Sequence, residues 1–190
     1  MSAYIIGVSG GSGSGKSTFC QALLPLLPQS RYLSVDSHYK KELPTMISPL
    51  DKQEYPDWNH PDTVNLPAAL QELEEAEKSS RFVVVDGAFL FCLPELNAKL
   101  HYRIFIDATI EMRLYRRIRR NLEEKGQSLD FIAGYYLNCA RFREKEYCLP
   151  SRAFADLIVD NESGFHGKDR EAAKIILENS GEIVPDSKQS

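Results

Sequence analysis

The feature that most constrains this chain is a glycine-rich segment that begins at residue 10. It reads Gly-Gly-Ser-Gly-Ser-Gly-Lys-Ser, matches the pattern G-x-x-x-x-G-K-S, and lies between a short apolar run and a stretch with helical spacing. Glycines let successive backbone N–H groups turn toward phosphate oxygens, and the helix N-terminus that follows adds partial positive charge. The segment therefore predicts a strand, a phosphate-binding loop and a helix, in that order.

This loop predicts a site for a nucleoside triphosphate. Lys16 is expected to reach the β and γ phosphates, and Ser17 to bind Mg²⁺. A plain glycine-rich turn is the alternative, but the full pattern rarely arises by chance in a chain of this length. The guanine-reading motif N-K-x-D of GTPases is absent from the sequence. The predicted nucleotide-binding residues are Gly10, Gly11, Ser12, Gly13, Ser14, Gly15, Lys16, Ser17 and Thr18.

Short apolar runs alternate with helical patterns along the rest of the chain, which predicts a parallel sheet with helices on both faces. The expected fold is α/β, a three-layer P-loop sandwich in one domain of 1–190 with an arginine-bearing helical lid at about 110–150. A polar stretch, 36–67, is expected to be a functional or mobile loop. Strands are predicted at 4–8, 32–35, 81–85, 103–107 and 155–159, and helices at 16–24, 66–78, 110–125, 129–147 and 168–179.

Charge and composition exclude several classes of protein. The chain has 27 acidic and 23 basic residues and a formal charge of −4, which gives no footprint for nucleic-acid binding. It has no basic, apolar leader of the secretory kind and no apolar window long enough to cross a bilayer. Its four cysteines form no C-x-x-C pair. We expect reduced thiols, a cytoplasmic location and neither nucleic acid nor membrane as partner; a homo-oligomer is left open.

Two carboxylates follow predicted strands. Asp36 comes at the end of the second strand, where side chains face the ligand crevice of open α/β sheets, and could take a proton from an attacking hydroxyl. Asp86 follows an apolar run, as a metal-binding Walker B carboxylate does. The alternatives are a helix or turn cap for Asp36 and a turn residue before Gly87 for Asp86.

Five arginines lie within eight residues of the predicted helix 110–125. This concentration of positive charge in an acidic protein suits a lid that neutralises a phosphoryl group in transfer. The alternative is a solvated basic face paired with Glu111, Glu123 and Glu124. The arginines are Arg113, Arg116, Arg117, Arg119 and Arg120, and spacings of three and four place Arg113, Arg116 or Arg117, and Arg120 along one side.

Taken together, these blocks resemble the uridine kinase and phosphoribulokinase family of P-loop kinases. The resemblance rests on GVSGGSGSGKST, VDSHY, NHPDTVN, VVVDGAFLF, IFIDATIEMRLYRRIRRN and FREKEYCLPSRAFADLIV, which span most of the chain. It implies that Asp36 is the catalytic base for a nucleoside 5′-hydroxyl and that Asp86 serves the metal. It also implies that Arg117 and Arg120 are lid arginines that approach the phosphates and the nucleoside, that Tyr39 and His60 lie in motifs lining the acceptor pocket, and that ATP and Mg²⁺ are the cofactors.

The sequence departs from the family pattern on the acceptor side. Asn59 stands where uridine kinases have an aspartate for the ribose hydroxyls, and Lys125 and Gln127 stand where the family usually has arginines. Uridine kinases also carry a β-hairpin that closes over the pyrimidine before the Walker B strand. Only 17 residues separate Asn65 from Val83 here, so we expect that hairpin to be missing.

Three hypotheses follow. The first is an ATP-dependent kinase for the 5′-hydroxyl of a nucleoside, with uridine or cytidine as the leading acceptors. The second keeps this chemistry for nicotinamide riboside or another small hydroxylated metabolite, since Trp58 could stack on a flat or cationic base or could simply pack in the loop. The third is a nucleotide-binding regulator without turnover. The predicted acceptor-binding residues are Asp36, Tyr39, Trp58, Asn59, His60, Arg117 and Gln127.

Overall fold

The computed structural model describes residues 3–182 of the chain. Its centre is a sheet of five parallel strands in the order β2-β5-β1-β6-β7, so that β1 lies in the middle. Strands β3 and β4 form a separate antiparallel hairpin. The strands are β1 (Tyr4–Ser9), β2 (Ser30–Ser34), β3 (Thr45–Ile47), β4 (Glu54–Pro56), β5 (Phe82–Asp86), β6 (Tyr102–Asp107) and β7 (Leu157–Asp160).

Helices connect the strands and close the chain. The longest, α4, is N-capped by the Thr109 hydroxyl, which accepts from Met112 N at 3.3 Å, and it ends at Gly126 in the left-handed conformation. After α5 the helical path contains two π-helical turns, Tyr136–Ala140 and Glu144–Cys148. The helices are α1 (Lys16–Leu23), α2 (Leu66–Ser79), α3 (Pro94–Asn97), α4 (Ile110–Lys125), α5 (Leu129–Tyr135), α6 (Arg141–Arg143), α7 (Leu149–Ser151) and α8 (Lys168–Asn179).

Two apolar cores lie on opposite faces of the sheet. The strand β5 is buried along its whole length, as expected of a parallel strand covered on both sides. Its Val83 and Val85 pack toward the α2 and α3 side, and Phe82 and Val84 pack toward the α1 and α8 side. The predicted α/β fold with helices on both faces is therefore confirmed.

Several predicted boundaries need correction. The second strand runs over Ser30–Ser34, not 32–35, because Val35 and Asp36 turn into a 3₁₀ helix. The stretch 36–67 is not entirely a loop, since it contains the β3–β4 hairpin and the start of α2. Both hairpin strands have only three residues, too few for a period-two pattern to be visible in the sequence.

Some predictions concern features that the described residues lack. Only Ser80 and Arg81 separate α2 from β5, so residues 66–86 hold no hairpin at the point where uridine kinases carry one. All four cysteines are free thiols. No helix between residues 3 and 182 is long and apolar enough to cross a membrane. The single domain of 1–190 extends past both ends of the described range and stays a prediction.

Candidate active site

The phosphate loop joins β1 to α1 at the middle of the sheet. Gly13 and Gly15 have φ values of 83° and 97°, which side chains rarely tolerate. A Cβ at Gly13 would lie 2.3 Å from the backbone oxygen of Arg113, and one at Gly15 would lie 2.3 Å from the side-chain nitrogen of Asn161. Both glycines are therefore required by close packing against the lid and the loop after β7, as well as by the turn.

The pair formed by Ser17 and Asp86 is a candidate magnesium site. The Ser17 hydroxyl donates to Asp86 Oδ2 at 2.8 Å, and Asp86 is 1% exposed. The second carboxylate oxygen, Oδ1, is buried and has no hydrogen-bond partner among residues 3–182. A hydroxyl and a carboxylate at the phosphate loop fit Mg²⁺, which takes one or two protein oxygens and completes its shell with water and phosphate.

Asp36 lies in the 3₁₀ turn directly after β2. Its Oδ1 accepts a hydrogen bond from Ala88 N at 3.3 Å, which ties the carboxylate to the loop after β5. Burial raises the pKa of Asp36 above its ordinary value, and the positive charge of Lys16 opposes that shift. Such a carboxylate beside the phosphate loop is placed to accept a proton from a hydroxyl in the adjoining cavity.

The five arginines of α4 divide into two groups. Arg113 is 4% exposed and pairs with Glu144, and its Nε donates to Ala108 O at 3.1 Å. Arg116 donates to the backbone oxygens of the loop after β7, and Arg119 forms a surface pair with Glu123 at 3.6 Å. These three arginines hold the lid in place or face solvent, and none of them lines the cavity that Arg117 and Arg120 line.

Arg117 and Arg120 form the second group and line a cavity beside Lys16. Arg117 has a buried Nε without a partner among the described residues, and its guanidinium lies 5.9 Å from the centre of the Tyr135 ring. Burial lowers the pKa of Arg117, yet an arginine stays protonated across the physiological range. The Nε and Nη2 groups of Arg120 both donate to Asn121 Oδ1, at 3.3 Å. Both guanidinium groups line the cavity and can meet negative charge that enters it.

This cavity has a volume of about 690 Å³, which suits a small-molecule ligand. It extends from the phosphate loop to the lid and brings most of the predicted site residues together. Of those residues, the cavity is lined by Ser12, Gly13, Lys16, Ser17, Asp36, Tyr39, Trp58, Asn59, Arg117, Arg120 and Gln127.

The cavity wall also includes aromatic side chains. Tyr39 and Trp58 lie with ring centres 6.3 Å apart, and Trp58 is 49% exposed. Burial and the charge of Asp36 raise the pKa of Tyr39, so its hydroxyl remains a neutral hydrogen-bond donor. Gln127 accepts from Asn121 Nδ2 at 2.9 Å, which fixes the amide that replaces an arginine of the family pattern.

His60 lies outside this cavity. The Asp62 backbone N–H donates to His60 Nδ1 at 3.1 Å, and His60 Nε2 is 2.9 Å from the Tyr147 hydroxyl, so both ring nitrogens are engaged. A partner 87 residues away thus holds the ring, and a role for His60 in binding the acceptor stays a prediction. Gly10, Gly11, Ser14, Gly15 and Thr18 belong to the phosphate loop or its helix but do not line the cavity either.

Sequence reasoning missed several residues that the fold brings to the site. The lid and the loop after β5 contribute Ala88, Phe89, Asn121, Glu124, Phe131, Ile132 and Tyr135 to the cavity wall. Asn161, which is 6% exposed, donates from Nδ2 to Ser14 O at 2.7 Å and so supports the phosphate loop from the far edge of the sheet. These residues belong to no local motif that the sequence shows.

Comparison with known proteins identifies several similar chains. Residues 47–164 match the model of the phosphoribulokinase/uridine kinase family. The chain is 30% identical to the uridine kinase of Chloroflexus aurantiacus over 185 residues, covering 83% of this chain and 88% of that protein. It is 25% identical to uridine-cytidine kinase 2-B of Danio rerio over 189 residues, covering 82% of this chain and 72% of that protein.

A solved structure supports the fold independently. Shikimate kinase from Acinetobacter baumannii in complex with shikimate superposes with a TM-score of 0.55 and 18% identity, covering 93% of this chain and 92% of that one. At this identity the likeness concerns the fold alone. It agrees with the P-loop architecture that the glycine-rich segment predicts.

Proposed function

Because the chain belongs to the phosphoribulokinase/uridine kinase family, we propose that it transfers the γ-phosphoryl group of ATP to the 5′-hydroxyl of a nucleoside, with uridine and cytidine as the first candidates. One observation carries the proposal: a single cavity is lined by Lys16 and Ser17 at its phosphate end and by Asp36 beside them. The same cavity continues to Tyr39 and Asn59, which gives room for an acceptor next to the phosphates.

Each residue has a role in this reaction that its position supports. Asp36 orients the acceptor hydroxyl and takes its proton, while Lys16, Arg117 and Arg120 stabilise negative charge on the phosphoryl group. Ser17 and Asp86 would hold Mg²⁺, which when bound supplies further charge neutralisation on the phosphates. Phosphoryl transfer needs little covalent help from the protein, so positioning and electrostatics account for the rate.

The structure also offers support for a different acceptor. The segment between α2 and β5 is too short for a pyrimidine-covering hairpin, and Trp58 is half-exposed in the cavity. A half-exposed indole that lines the cavity suits a flat cationic base. Nicotinamide riboside is therefore the second candidate acceptor.

An acceptor panel tests both proposals. ADP release would be measured with ATP, Mg²⁺ and one of uridine, cytidine, nicotinamide riboside or pantothenate. We expect uridine or cytidine to give the highest kcat/KM. A higher value with nicotinamide riboside would transfer the assignment to the second candidate. Binding of ATP without stimulation by any acceptor would contradict both and support a regulator.

A further inference from the structure

One tyrosine hydroxyl joins the lid to the acceptor end of the cavity. Tyr135 Oη lies 3.0 Å from each of three atoms: Pro56 O, Trp58 N and Asn59 Nδ2. The Tyr135 ring lines the cavity and stacks near Phe131, with ring centres 6.5 Å apart. The residue therefore connects α5 to the segment that follows β4.

The hydrogen-bonding capacity of these groups fixes the direction of each bond. Burial raises the pKa of the Tyr135 hydroxyl, which therefore keeps its one proton. The Pro56 carbonyl can only accept, so it receives that proton, while the Trp58 backbone N–H can only donate. Asn59 then has to present its NH₂ group to the tyrosine, because its Oδ1 would face the phenolic oxygen with no proton between them. The Cys139 thiol, 3.4 Å away, is a further donor to the same oxygen.

This orientation leaves the Asn59 carbonyl oxygen as the free polar atom of a side chain that lines the cavity. Oδ1 has no hydrogen-bond donor among residues 3–182, and the Asn59 backbone N–H is held by Asp57 Oδ1 at 3.1 Å. We propose that Tyr135 is a positioning residue that holds Asn59 with Oδ1 toward the acceptor, where it receives a hydrogen bond from a secondary hydroxyl of the sugar. This inference rests on the proposed nucleoside kinase function.

The proposal accounts for asparagine at this position. A carboxylate at residue 59 would have no proton to give to Tyr135 Oη and would compete with Pro56 O for the single phenolic proton. Asparagine can donate to the tyrosine through one end of its amide and accept from the sugar through the other. The tyrosine at residue 135 therefore requires a side chain at residue 59 that can both donate and accept a hydrogen bond.

Steady-state kinetics of Tyr135→Phe test this pair with the best nucleoside from the acceptor panel. We expect KM for the nucleoside to rise about tenfold, which corresponds to the loss of roughly one hydrogen bond in binding. The kcat should stay within about twofold of the wild-type value. The KM for ATP should not change. Discrimination between the ribonucleoside and its 2′-deoxy and 3′-deoxy analogues should fall. Asn59→Ala should give the same loss, and the double variant no further loss, because the two residues act as one unit.

Tyr147→Phe is the matched control. It removes another phenol that links the lid to the same segment, through the 2.9 Å contact with His60, but it leaves Tyr135 and Asn59 intact. We expect it to leave the nucleoside KM and the deoxy discrimination unchanged. An equal rise in KM for both tyrosine variants, or additive losses in the double variant, would overturn the positioning role.

A readout that does not depend on activity separates this inference from the proposed function. In ¹⁵N NMR spectra the Asn59 side-chain NH₂, assigned from its absence in Asn59→Ala, should exchange slowly with solvent in the wild-type protein and faster in Tyr135→Phe. If no nucleoside is phosphorylated, the proposed function fails, but this comparison still decides the orientation. Equal exchange in both proteins would overturn it.

Discussion

At the scale of single residues, Asp36 has two properties that a general base needs. It lies in the cavity with Lys16 and Ser17, and burial raises its pKa, which makes the carboxylate a stronger proton acceptor than an ordinary aspartate. The amide of Asp36→Asn keeps the shape and can still accept from Ala88 N, but it cannot take a proton. We expect turnover to fall by roughly a hundredfold or more while ATP still binds, measured by ADP release and by nucleotide titration.

The pH profile gives an independent check on the same residue. The carboxylate has to be ionised to act, so kcat/KM for the acceptor should fall as the pH drops through the raised pKa of Asp36, at higher pH than for an ordinary aspartate. The residual activity of Asp36→Asn should lack this acidic limb. A variant that keeps both the wild-type turnover and the limb would remove Asp36 from the role of base.

At the scale of elements, a buried ion pair joins the segment that follows β4 to the lid. Asp57 is fully buried, and Arg143 Nε donates to its Oδ2 at 2.6 Å. Arg143→Met would leave this carboxylate in the interior without a countercharge, which typically costs about 3–5 kcal/mol. We expect a loss of that size in the free energy of unfolding, measured by urea denaturation.

Arg152→Met provides the comparison for this pair. Arg152 Nε also donates to an aspartate, Asp107, at 3.0 Å, but the arginine is 49% exposed, and such surface pairs contribute about 0–1 kcal/mol. The two variants should therefore differ clearly in urea midpoint. Equal and small losses would mean that Asp57 is stabilised by its other contacts, chiefly the Asn59 N–H, and not by the ion pair.

The same elements show what can be predicted from this sequence. The phosphate loop, Asp36 and Asp86 follow from local patterns, because a strand, its terminal carboxylate and the next helix are neighbours in the chain. The division of the lid arginines into two groups cannot be predicted from local patterns, since the partner of Arg113 lies 31 residues away at Glu144. The contact of His60 with Tyr147, which lies 87 residues away, is not visible in local patterns either. Tyr135 carries no motif, and its importance becomes visible only when Pro56 and Asn59 are brought to it.

At the scale of the whole molecule, the cavity joins parts that are far apart in the chain. One end is built from the carboxyl ends of β1, β2 and β5 and the other from α4, α5 and the segment after β4. A ligand that spans the cavity therefore contacts the sheet and the lid together. Binding to the folded form alone stabilises the entire fold by mass action.

Thermal unfolding can therefore report on the magnesium site. ATP with Mg²⁺ at about 100 times its Kd should raise Tm by roughly 5–10 °C, from about 2.7 kcal/mol of linkage in a domain of this size. Asp86→Asn replaces one oxygen of the buried carboxylate, whose Oδ1 has no partner among residues 3–182. We expect this variant to keep the Tm increase from ATP alone but to lose the further increase that Mg²⁺ adds. Asp107→Asn, at the end of β6, should keep both increases, since Asp107 pairs with Arg152. Retention of the full Mg²⁺ increment in Asp86→Asn would show that the metal is held elsewhere.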